Sequence, residues 1–363
     1  MRIATLANAA VGHTRRWVEQ LRARGHEVGL WSLEPGPPGL FARALPRAAL
    51  PGALRYPLAA PALRRALAEF APDLVDAQYV PNYGLLGALT GLRPLVVTAW
   101  GSDLLVAGGR DPFRRARSRF VLERADLVLT DAENLARAAR SLGAPPDRVH
   151  AISWGIDLTR FAPSAAREPG LLLSARMHEP VYDLATLIAG VAPYLARRPE
   201  ARLVVAGDGS LRGAHEALAA RRLPAGRWQF VGMQRPEELA GWLARAELYL
   251  SASRSDSTSV SLLEAMAAGA LPVVSDIEGN REWVGEGEGA RLFPVGDPAG
   301  LTRALERAGE PSGWAERARD RNRRVVEERG DQHRNLDRIE ALLTDLVAAP
   351  SVGHRGTRRG SGT

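Results

Sequence analysis

The chain of 363 residues contains no cysteine and no lysine. Without cysteine there is no thiol nucleophile, no thiolate metal ligand and no disulfide. Without lysine the chain cannot form a Schiff base with pyridoxal phosphate, and it cannot supply the lysine of a Walker-type phosphate loop. All 48 basic residues are arginine.

Long apolar runs and metal-ligand patterns are also missing. No stretch of 18 apolar residues occurs, so we expect no transmembrane helix. The opening MRIATLANAA leads directly into an apolar strand pattern, without the layout of a signal peptide, and a cytoplasmic location is expected. The seven histidines are scattered without ligand spacing, so we expect no metal site.

The positive charge is confined to the first half. Residues 1–150 hold 20 arginines and 13 acids, a net charge of +7, whereas residues 151–363 hold 28 of each. This excess predicts an anionic partner, either an acidic acceptor or the inner surface of a membrane, with a solvated basic face as the alternative. No zinc-finger, helix-turn-helix or aromatic-interleaved basic motif is present, so a nucleic-acid partner is not expected.

Short apolar segments alternate with helical patterns in both halves of the chain. The predicted strands are Arg2–Leu6, Glu27–Ser32, Leu74–Ala77, Leu95–Thr98 and Leu127–Leu129, then Leu171–Ser174, Leu203–Ala206, Gln229–Val231, Leu248–Leu250 and Leu271–Ser275. Strands separated by helices favour parallel sheets covered on both faces. We therefore predict two doubly wound α/β domains that face each other across a cleft.

The alternating pattern breaks at SWGIDLTRFAP, which predicts a domain junction. The expected units are an N-terminal domain over 1–155 and a C-terminal domain over 156–348, with a disordered tail over 349–363. The amphipathic helix predicted over 331–348 is expected to pack back toward the N-terminal domain. The Pro-rich stretch 35–70 is interpreted as an acceptor-binding or membrane-touching loop and helix, or as a surface excursion.

The most informative segment covers residues 251–284. A serine-rich loop carries Asp256, and a short apolar helix after it carries Glu264. If the loop folds back over the start of the helix, both acids face one crevice. The backbone amides of Thr258, Ser259 and Val260 then lie at a helix N-terminus, which can bind a diphosphate. The pattern suits a ligand with two polyol ends, such as a nucleotide sugar.

This segment resembles the E-x7-E signature of the retaining glycosyltransferases of family 4. Five further segments resemble parts of the family in the expected order: NAAVGHTRRWVEQLRARGHEV, VVTAWGSDLL, SWGIDLTRF, SARMHEPVYDLATLI and GDGSLRG. Together these segments span most of residues 1–284. The resemblance implies the GT-B fold, in which two Rossmann-like domains face a cleft, the C-terminal one binding the donor and the N-terminal one the acceptor.

The resemblance also implies roles for the two acids. Glu264 matches the second acid of the signature and would accept hydrogen bonds from the ribose hydroxyls of the donor. Asp256 occupies the place of the first acid and would contact the donor sugar as a catalytic residue. Its side chain is one methylene shorter than glutamate, which leaves the identity of the sugar open. The loop and helix start, Ser257–Val260, would bind the donor.

The donor phosphates need a cation. Arg176 matches the family's phosphate-binding arginine, and a bidentate guanidinium suits a diphosphate. The family usually has a lysine five residues later, but that position is Val181 here. Arg254 and Arg281 are the candidate substitutes.

Four positions in the N-terminal half complete the predicted site. Gly12 would allow the backbone to approach a phosphate closely, and His13 beside it would act in catalysis or face the acceptor or sugar. Trp100 stands where many relatives have histidine and could stack on a sugar face. Asp103 is expected either as a cleft carboxylate or in a structural turn.

The resemblance implies a retaining, hexosyltransferase-type glycosyltransferase. It would move a sugar from a nucleoside diphosphate, with UDP the expected nucleotide, to an envelope polysaccharide, lipid or small molecule. No cofactor or metal is expected, and no D-x-D motif is present. Two alternatives remain: a non-catalytic relative that binds sugar nucleotides, and a GT-B nucleotide-sugar epimerase. GDGSLRG is not interpreted as an NAD-binding loop, because Arg212 stands at the position of the third glycine.

Overall fold

The computed structural model describes residues 1–40, 42–45, 54–105, 111–164, 167–310 and 313–349. The strands of the N-terminal half are β1 Arg2–Leu6, β2 Glu27–Ser32, β3 Arg43–Ala44, β4 Leu74–Gln78, β5 Leu95–Thr98, β6 Leu127–Thr130 and β7 Val149–Ala151. Its helices are α1 Gly12–Ala23, α2 Arg55–Phe70, α3 Leu85–Thr90, α4 Pro112–Leu122 and α5 Glu133–Ser141, with a π-helical segment over Tyr79–Gly84.

The C-terminal half is built in the same way. Its strands are β8 Glu168–Ala175, β9 Arg202–Ala206, β10 Trp228–Gly232, β11 Ala246–Ser251, β12 Leu271–Ser275 and β13 Arg291–Phe293. Its helices are α6 Leu184–Arg197, α7 Arg212–Arg222, α8 Pro236–Arg245, α9 Val260–Ala268, α10 Glu278–Arg281, α11 Pro298–Ala308, α12 Trp314–Arg329 and α13 Gln332–Ala348.

All strands pair in parallel, and they form two sheets. The first has seven strands in the order β3-β2-β1-β4-β5-β6-β7, and the second has six in the order β10-β9-β8-β11-β12-β13. The predicted fold, two doubly wound parallel-sheet domains, is confirmed. The strand order reverses between β1 and β4 and again between β8 and β11. In such sheets ligands bind beyond the carboxyl ends of the strands at this reversal, which gives each domain one expected binding position.

Three strands were not predicted from the sequence. β3, β7 and β13 have only two or three residues each and lie at the ends of the two sheets. Their segments RA, VHA and RLF are too short to show an apolar run or a regular alternation.

The last helix lies against the N-terminal domain. Leu336, Ile339 and Leu343 of α13 belong to the same apolar cluster as Trp17 and Val18 of α1. At the rim of this contact, Nη1 of Arg24 lies 2.6 Å from Asp337 and 2.8 Å from Glu340. The chain thus crosses between the domains twice, and the second crossing ties α13 to the face of α1.

Two predicted segments fall partly outside the described residues. In the stretch 35–70, residue 41 and residues 46–53 are not described, and the remainder ends in α2. The predicted tail is described only at residue 349. Over the described ranges, no helix is both long enough and apolar enough to cross a membrane.

Candidate functional site

The carboxyl ends of β8 and β11 carry a buried cluster built around Arg176. Its Nη2 pairs with the carboxylate of Asp256, while Nη1 donates to Ser259 Oγ at 2.5 Å and Ser261 Oγ at 3.1 Å. The ring of Tyr182 lies 4.2 Å from the guanidinium carbon, a cation–π distance. The structure therefore brings together Arg176 and Asp256, which the sequence placed 80 residues apart.

The guanidinium of Arg176 keeps one donor free. Its Nε is buried and has no hydrogen-bond partner among the described residues. Burial works against the charge, but Asp256, Tyr249 and Tyr182 together outweigh it and hold the pKa of Arg176 above its ordinary value. Arg176 is therefore a fixed cation with a spare N–H, and an unpaired buried donor of this kind calls for an acceptor.

The start of α9 offers further donors. Ser259 caps the helix, since its Oγ accepts from the amide of Leu262 at 3.3 Å. The amides of Ser259 and Val260 donate to no group in the described part of the chain. Free amides at a helix start, beside a guanidinium, form an anion site of the kind that binds phosphate.

Ser257 and Thr258 both contact the N-terminal domain, and the amide of Thr258, predicted as a phosphate donor, lies 3.4 Å from Asp131 Oδ2. The hydroxyl of Ser257 donates to Asp131 Oδ2 at 2.9 Å, and that of Thr258 donates to the Asp131 carbonyl at 2.8 Å. Asn134 Nδ2 also donates to the carbonyl of Asp256 at 3.1 Å. In this arrangement both hydroxyls join the two domains and are not available to a nucleotide sugar. Asp131 and Asn134 were not predicted from the sequence, although the polar run TDAEN at the end of an apolar strand could have indicated them.

Glu264 faces the cleft between the domains. It lies one turn into α9, is 8% exposed and lines a cavity of about 350 Å³ together with Arg16, Arg160 and Gln234. Its carboxylate makes no hydrogen bond or ion pair with any described residue. Burial raises the pKa of Glu264 to about 7, and the charges of Arg16, Arg160 and Arg176 oppose this increase. A carboxylate without partners in a cavity is available to ligand hydroxyls.

The two arginines proposed to replace the missing lysine are engaged in other contacts. The backbone of Arg254 is next to Val181, whose carbonyl accepts from its amide at 2.8 Å, but its guanidinium pairs with Asp183 at 2.7 Å. Arg281 forms an exposed pair with Asp276. Neither guanidinium joins the cluster at the end of β8. The cation that the family has at this position is therefore not supplied by either residue here.

Gly12 and His13 lie at the start of α1, and His13 lines a second cavity in the N-terminal domain. Gly12 opens α1, is exposed and has free space where a Cβ would point. The ring of His13 stacks on Trp100 at 4.0 Å, and Trp100 lies 4.9 Å from Trp154. Part of His13 remains open to solvent, but desolvation and the nearby charge of Arg16 lower its pKa. The imidazole is therefore neutral at pH 7 and can accept or donate a hydrogen bond.

Asp103 does not contact the cleft. It is fully buried, and its carboxylate accepts from the amides of Val80 and Trp100, both at 3.1 Å. Burial raises its pKa to about 6. Of the two roles considered for Asp103, the structure supports the structural one, because the carboxylate fixes two loops that border the cleft.

Comparison with known proteins places this cleft in a family. A model described as "Glycosyltransferase Family 4" matches residues 10–160, and one described as "Glycosyl transferases group 1" matches residues 168–310. One match covers most of each domain. The chain therefore belongs to glycosyltransferase family 4, as its motifs indicated.

Individual relatives agree with this assignment. D-inositol 3-phosphate glycosyltransferase 2 of Catenulispora acidiphila is 31% identical over 55% of this chain and 52% of its own length. A GDP-mannose-dependent alpha-mannosyltransferase of Mycobacterium tuberculosis is 27% identical over 77% of this chain and 78% of its own. The chain spans about half the length of the first curated relatives it matches: the matches cover 52% of one relative and 40% of another.

Solved structures share the fold over nearly the whole chain. Sucrose-phosphate synthase of Thermosynechococcus elongatus has a TM-score of 0.81 at 20% identity, covering 96% of this chain and 100% of that one. Anabaena HepE in complex with UDP-glucose has a TM-score of 0.79 at 17% identity, covering 95% and 100%. At these identities the likeness supports the GT-B fold alone. Among the described residues, no group of three or more histidines and acids could hold a metal ion.

Proposed function

We propose that this protein transfers a sugar from a nucleoside diphosphate to an acceptor, with retention at the anomeric carbon. The observation that carries the proposal is the geometry of one crevice. Its base holds a guanidinium N–H and two helix amides that have no acceptor among the described residues. One turn along the same helix, the carboxylate of Glu264 faces the cleft, also without a partner in the described part of the chain. This arrangement suits a diphosphate flanked by a ribose.

The donor would bind along α9. Glu264 would accept hydrogen bonds from the ribose hydroxyls, which a carboxylate does about twice as strongly as a neutral acceptor. Arg176 and the amides of Ser259 and Val260 would bind the diphosphate. When the diphosphate accepts hydrogen bonds from the guanidinium of Arg176, the ion pair between Arg176 and Asp256 weakens. Asp256 then becomes free to contact the sugar.

The same groups would act in the transfer step. The acceptor oxygen would attack the anomeric carbon on the face from which the diphosphate leaves, so that the C–O bond to phosphate breaks as the new bond forms. A phosphate oxygen of the departing diphosphate would take the acceptor proton. Arg176 would stabilise the charge that develops on the leaving group, and the neutral His13 would orient the sugar or acceptor. We propose no metal in this step.

UDP is the first donor nucleotide to test. HepE, a structural neighbour, was solved with UDP and with UDP-glucose. GDP is the second, because a relative is described as GDP-mannose-dependent. The acceptor would approach from the N-terminal domain. We also propose that this domain, with its excess of +7, contacts the anionic inner surface of a membrane.

A nucleotide-binding experiment tests the donor site. UDP, GDP, ADP and dTDP are added separately to the purified protein, to Arg176→Lys and to the control Arg197→Lys, an exposed arginine paired with Glu306. At about 100 times its dissociation constant a nucleotide stabilises by about 2.7 kcal/mol, which raises the melting temperature. We expect one nucleotide to do so for the wild type and the control, and affinity to fall at least tenfold in Arg176→Lys, which keeps the charge but loses the planar fork.

The outcomes separate the alternatives. A lack of any shift would contradict the donor site. Binding without release of nucleoside diphosphate from a sugar donor, with any acceptor tried, would favour a non-catalytic relative. Conversion of the donor to its epimer would favour the epimerase.

A further inference from the structure

A second cavity lies in the N-terminal domain, at the reversal of strand order between β1 and β4. It has a volume of about 180 Å³, below the roughly 300–1,000 Å³ of pockets that take drug-sized ligands. Its wall includes the rings of His13, Tyr56, Tyr79, Tyr83 and Trp100 and the amide side chains of Asn8, Gln78 and Asn82. Next to Trp100, the left-handed Gly101 lies so close to Ser257 that a Cβ would be 2.8 Å from its Oγ. The cavity is therefore a neighbour of the donor loop.

Tyr56 and Tyr83 offer rings to this cavity, because their hydroxyls are already bonded. Tyr83 donates to the carboxylate of Glu34 and accepts from the amide of Leu33 at 2.8 Å. The Tyr56 hydroxyl accepts from Arg55 at 3.0 Å, and the guanidinium of Arg55 also pairs with Glu34. Among the described residues that line the cavity there is no arginine.

Gln78 contributes a buried amide to the wall. It is 2% exposed, and its Nε2 donates to Asp76 Oδ2 at 3.2 Å. Asp76 is itself held by Trp17 Nε1 at 2.8 Å and by Thr98 Oγ1 at 3.1 Å, so the orientation of the amide is fixed. Its Oε1 is buried and has no partner among the described residues. An acceptor is therefore left without a donor.

Trp100 supplies an unpaired hydrogen-bond donor. Its Nε1 is buried and likewise has no partner among the described residues. A hydroxyl group both donates and accepts, so hydroxyls of one ligand can satisfy Gln78 and Trp100 together. An ionised phosphate or carboxylate only accepts. It would leave Gln78 unsatisfied and would find no free cation on the described wall.

The backbone at the cavity is strained. Tyr79 has a φ of 75°, a left-handed conformation that is unfavourable for a non-glycine residue and concentrates at functional sites. It also opens the π-helical segment Tyr79–Gly84, and single π-turns are frequent at such sites. The buried Asp103 holds the amides of Val80 and Trp100 and so maintains this conformation.

We infer that this cavity binds a neutral polyhydroxyl ring of the acceptor, a sugar or cyclitol ring without phosphate at that position. The inference rests on the proposed function, since it names the substrate class for the acceptor side of the same cleft. Gln78 Oε1 accepts from one ring hydroxyl, Trp100 Nε1 donates to another, and the aromatic walls cover the apolar face of the ring. Gln78 determines specificity, and Asp76 is a positioning residue that acts through it.

The test compares neutral and phosphorylated probes on the full chain. Methyl mannopyranoside, methyl glucopyranoside and myo-inositol are titrated by NMR saturation transfer, next to mannose 6-phosphate, glucose 6-phosphate and inositol 1-phosphate. We expect at least one neutral probe to bind more tightly than its phosphorylated partner. Its affinity should fall about tenfold in Gln78→Leu, the loss of one hydrogen bond, and persist in the control Gln229→Leu, an exposed glutamine of the other domain.

Trp100→Phe provides an independent variant, because it keeps the ring and removes only Nε1; it should weaken the same probe several-fold. Nucleotide binding should not change in either variant, which separates this inference from the donor site. Preference for the phosphorylated probes, unchanged affinity in both variants, or no binding by any neutral probe would each overturn the inference. Should Gln78→Leu fail to fold, Trp100→Phe decides alone.

Discussion

At the scale of single residues, Glu264 combines burial with the absence of a partner. Its carboxylate lines the cleft without a hydrogen bond from any described residue, and burial raises its pKa to about 7 against the opposing charges of three arginines. Its charge therefore changes near neutral pH. Since the proposed role is to accept hydrogen bonds from ribose, the ionised form is the one that binds.

The affinity for the nucleotide should accordingly depend on pH. We expect it to rise several-fold as the pH increases through about 7, while Glu264→Gln shows a flat profile, measured by calorimetric titration. The stability of the empty protein should move in the opposite direction. Because the folded pKa lies above the ordinary value of 4.5, stability relative to Glu264→Gln falls as the pH rises from 4.5 to about 7.

The exposed Glu69, at the end of α2, provides the control, and Glu69→Gln should retain the wild-type profile of affinity. A pH slope that survives in Glu264→Gln would assign the titration to another group. An affinity that falls with rising pH would contradict the role of the carboxylate as acceptor.

At the scale of elements, the loop before α9 is fastened to the end of β6. Asp131 is buried between Ser257 and Thr258, and Gly279 on the other side admits the carbonyl of Ser257, which would lie 2.1 Å from a Cβ. Burial raises the pKa of Asp131 to about 8; Ser257 opposes the increase and the charge of Asp256 adds to it. The neutral acid is therefore the form that fits between the domains.

Asp131→Asn should then change the pH dependence of stability. The folded pKa exceeds the ordinary 3.8, so the wild type should lose stability relative to the variant as the pH rises from 3.8 to about 8. Urea unfolding at a series of pH values measures this difference. The exposed Asp147 offers the control Asp147→Asn, whose curve should run parallel to that of the wild type. Parallel curves for Asp131→Asn as well would refute the interdomain role of its protonation.

The same elements show what the sequence can predict. Every predicted strand exists within a few residues, because buried parallel strands are continuous apolar runs, whereas β3, β7 and β13 have no such signal. Arg176 and Asp256 meet at the strand-order reversal, where the topology predicts a site. The contacts of Ser257 and Thr258 with Asp131 were not predicted, because Asp131 lies over 120 residues away in the chain and the sequence shows no such pairing. That Gln78 Oε1 has no partner among the described residues could likewise not be predicted before the fold was known.

At the scale of the whole molecule, the N-terminal domain carries both the net positive charge and several exposed apolar side chains. Leu54 and Leu58 at the start of α2 are 61% and 55% exposed, and Phe113 at the start of α4 is 81% exposed. Helices of a doubly wound domain run opposite to the strands, so these helix starts lie at the carboxyl edge, on the side of the acceptor cavity. Arg114 and Arg115 follow Phe113 directly. An apolar tip beside arginines suits the headgroup region of an anionic membrane.

Flotation with lipid vesicles tests this orientation. We expect the protein to float with vesicles that contain phosphatidylglycerol and not with pure phosphatidylcholine, since each arginine near an anionic surface contributes about 1 kcal/mol. High salt should release it, because the Debye length falls from about 10 Å at 0.1 M to about 3 Å at 1 M. Phe113→Ser should reduce binding several-fold, whereas Met233→Ser, an equally apolar exposed position on the other domain, should not. Equal flotation with both lipids, or an equal loss in both variants, would show that the basic half does not face a membrane and that its charge serves another partner.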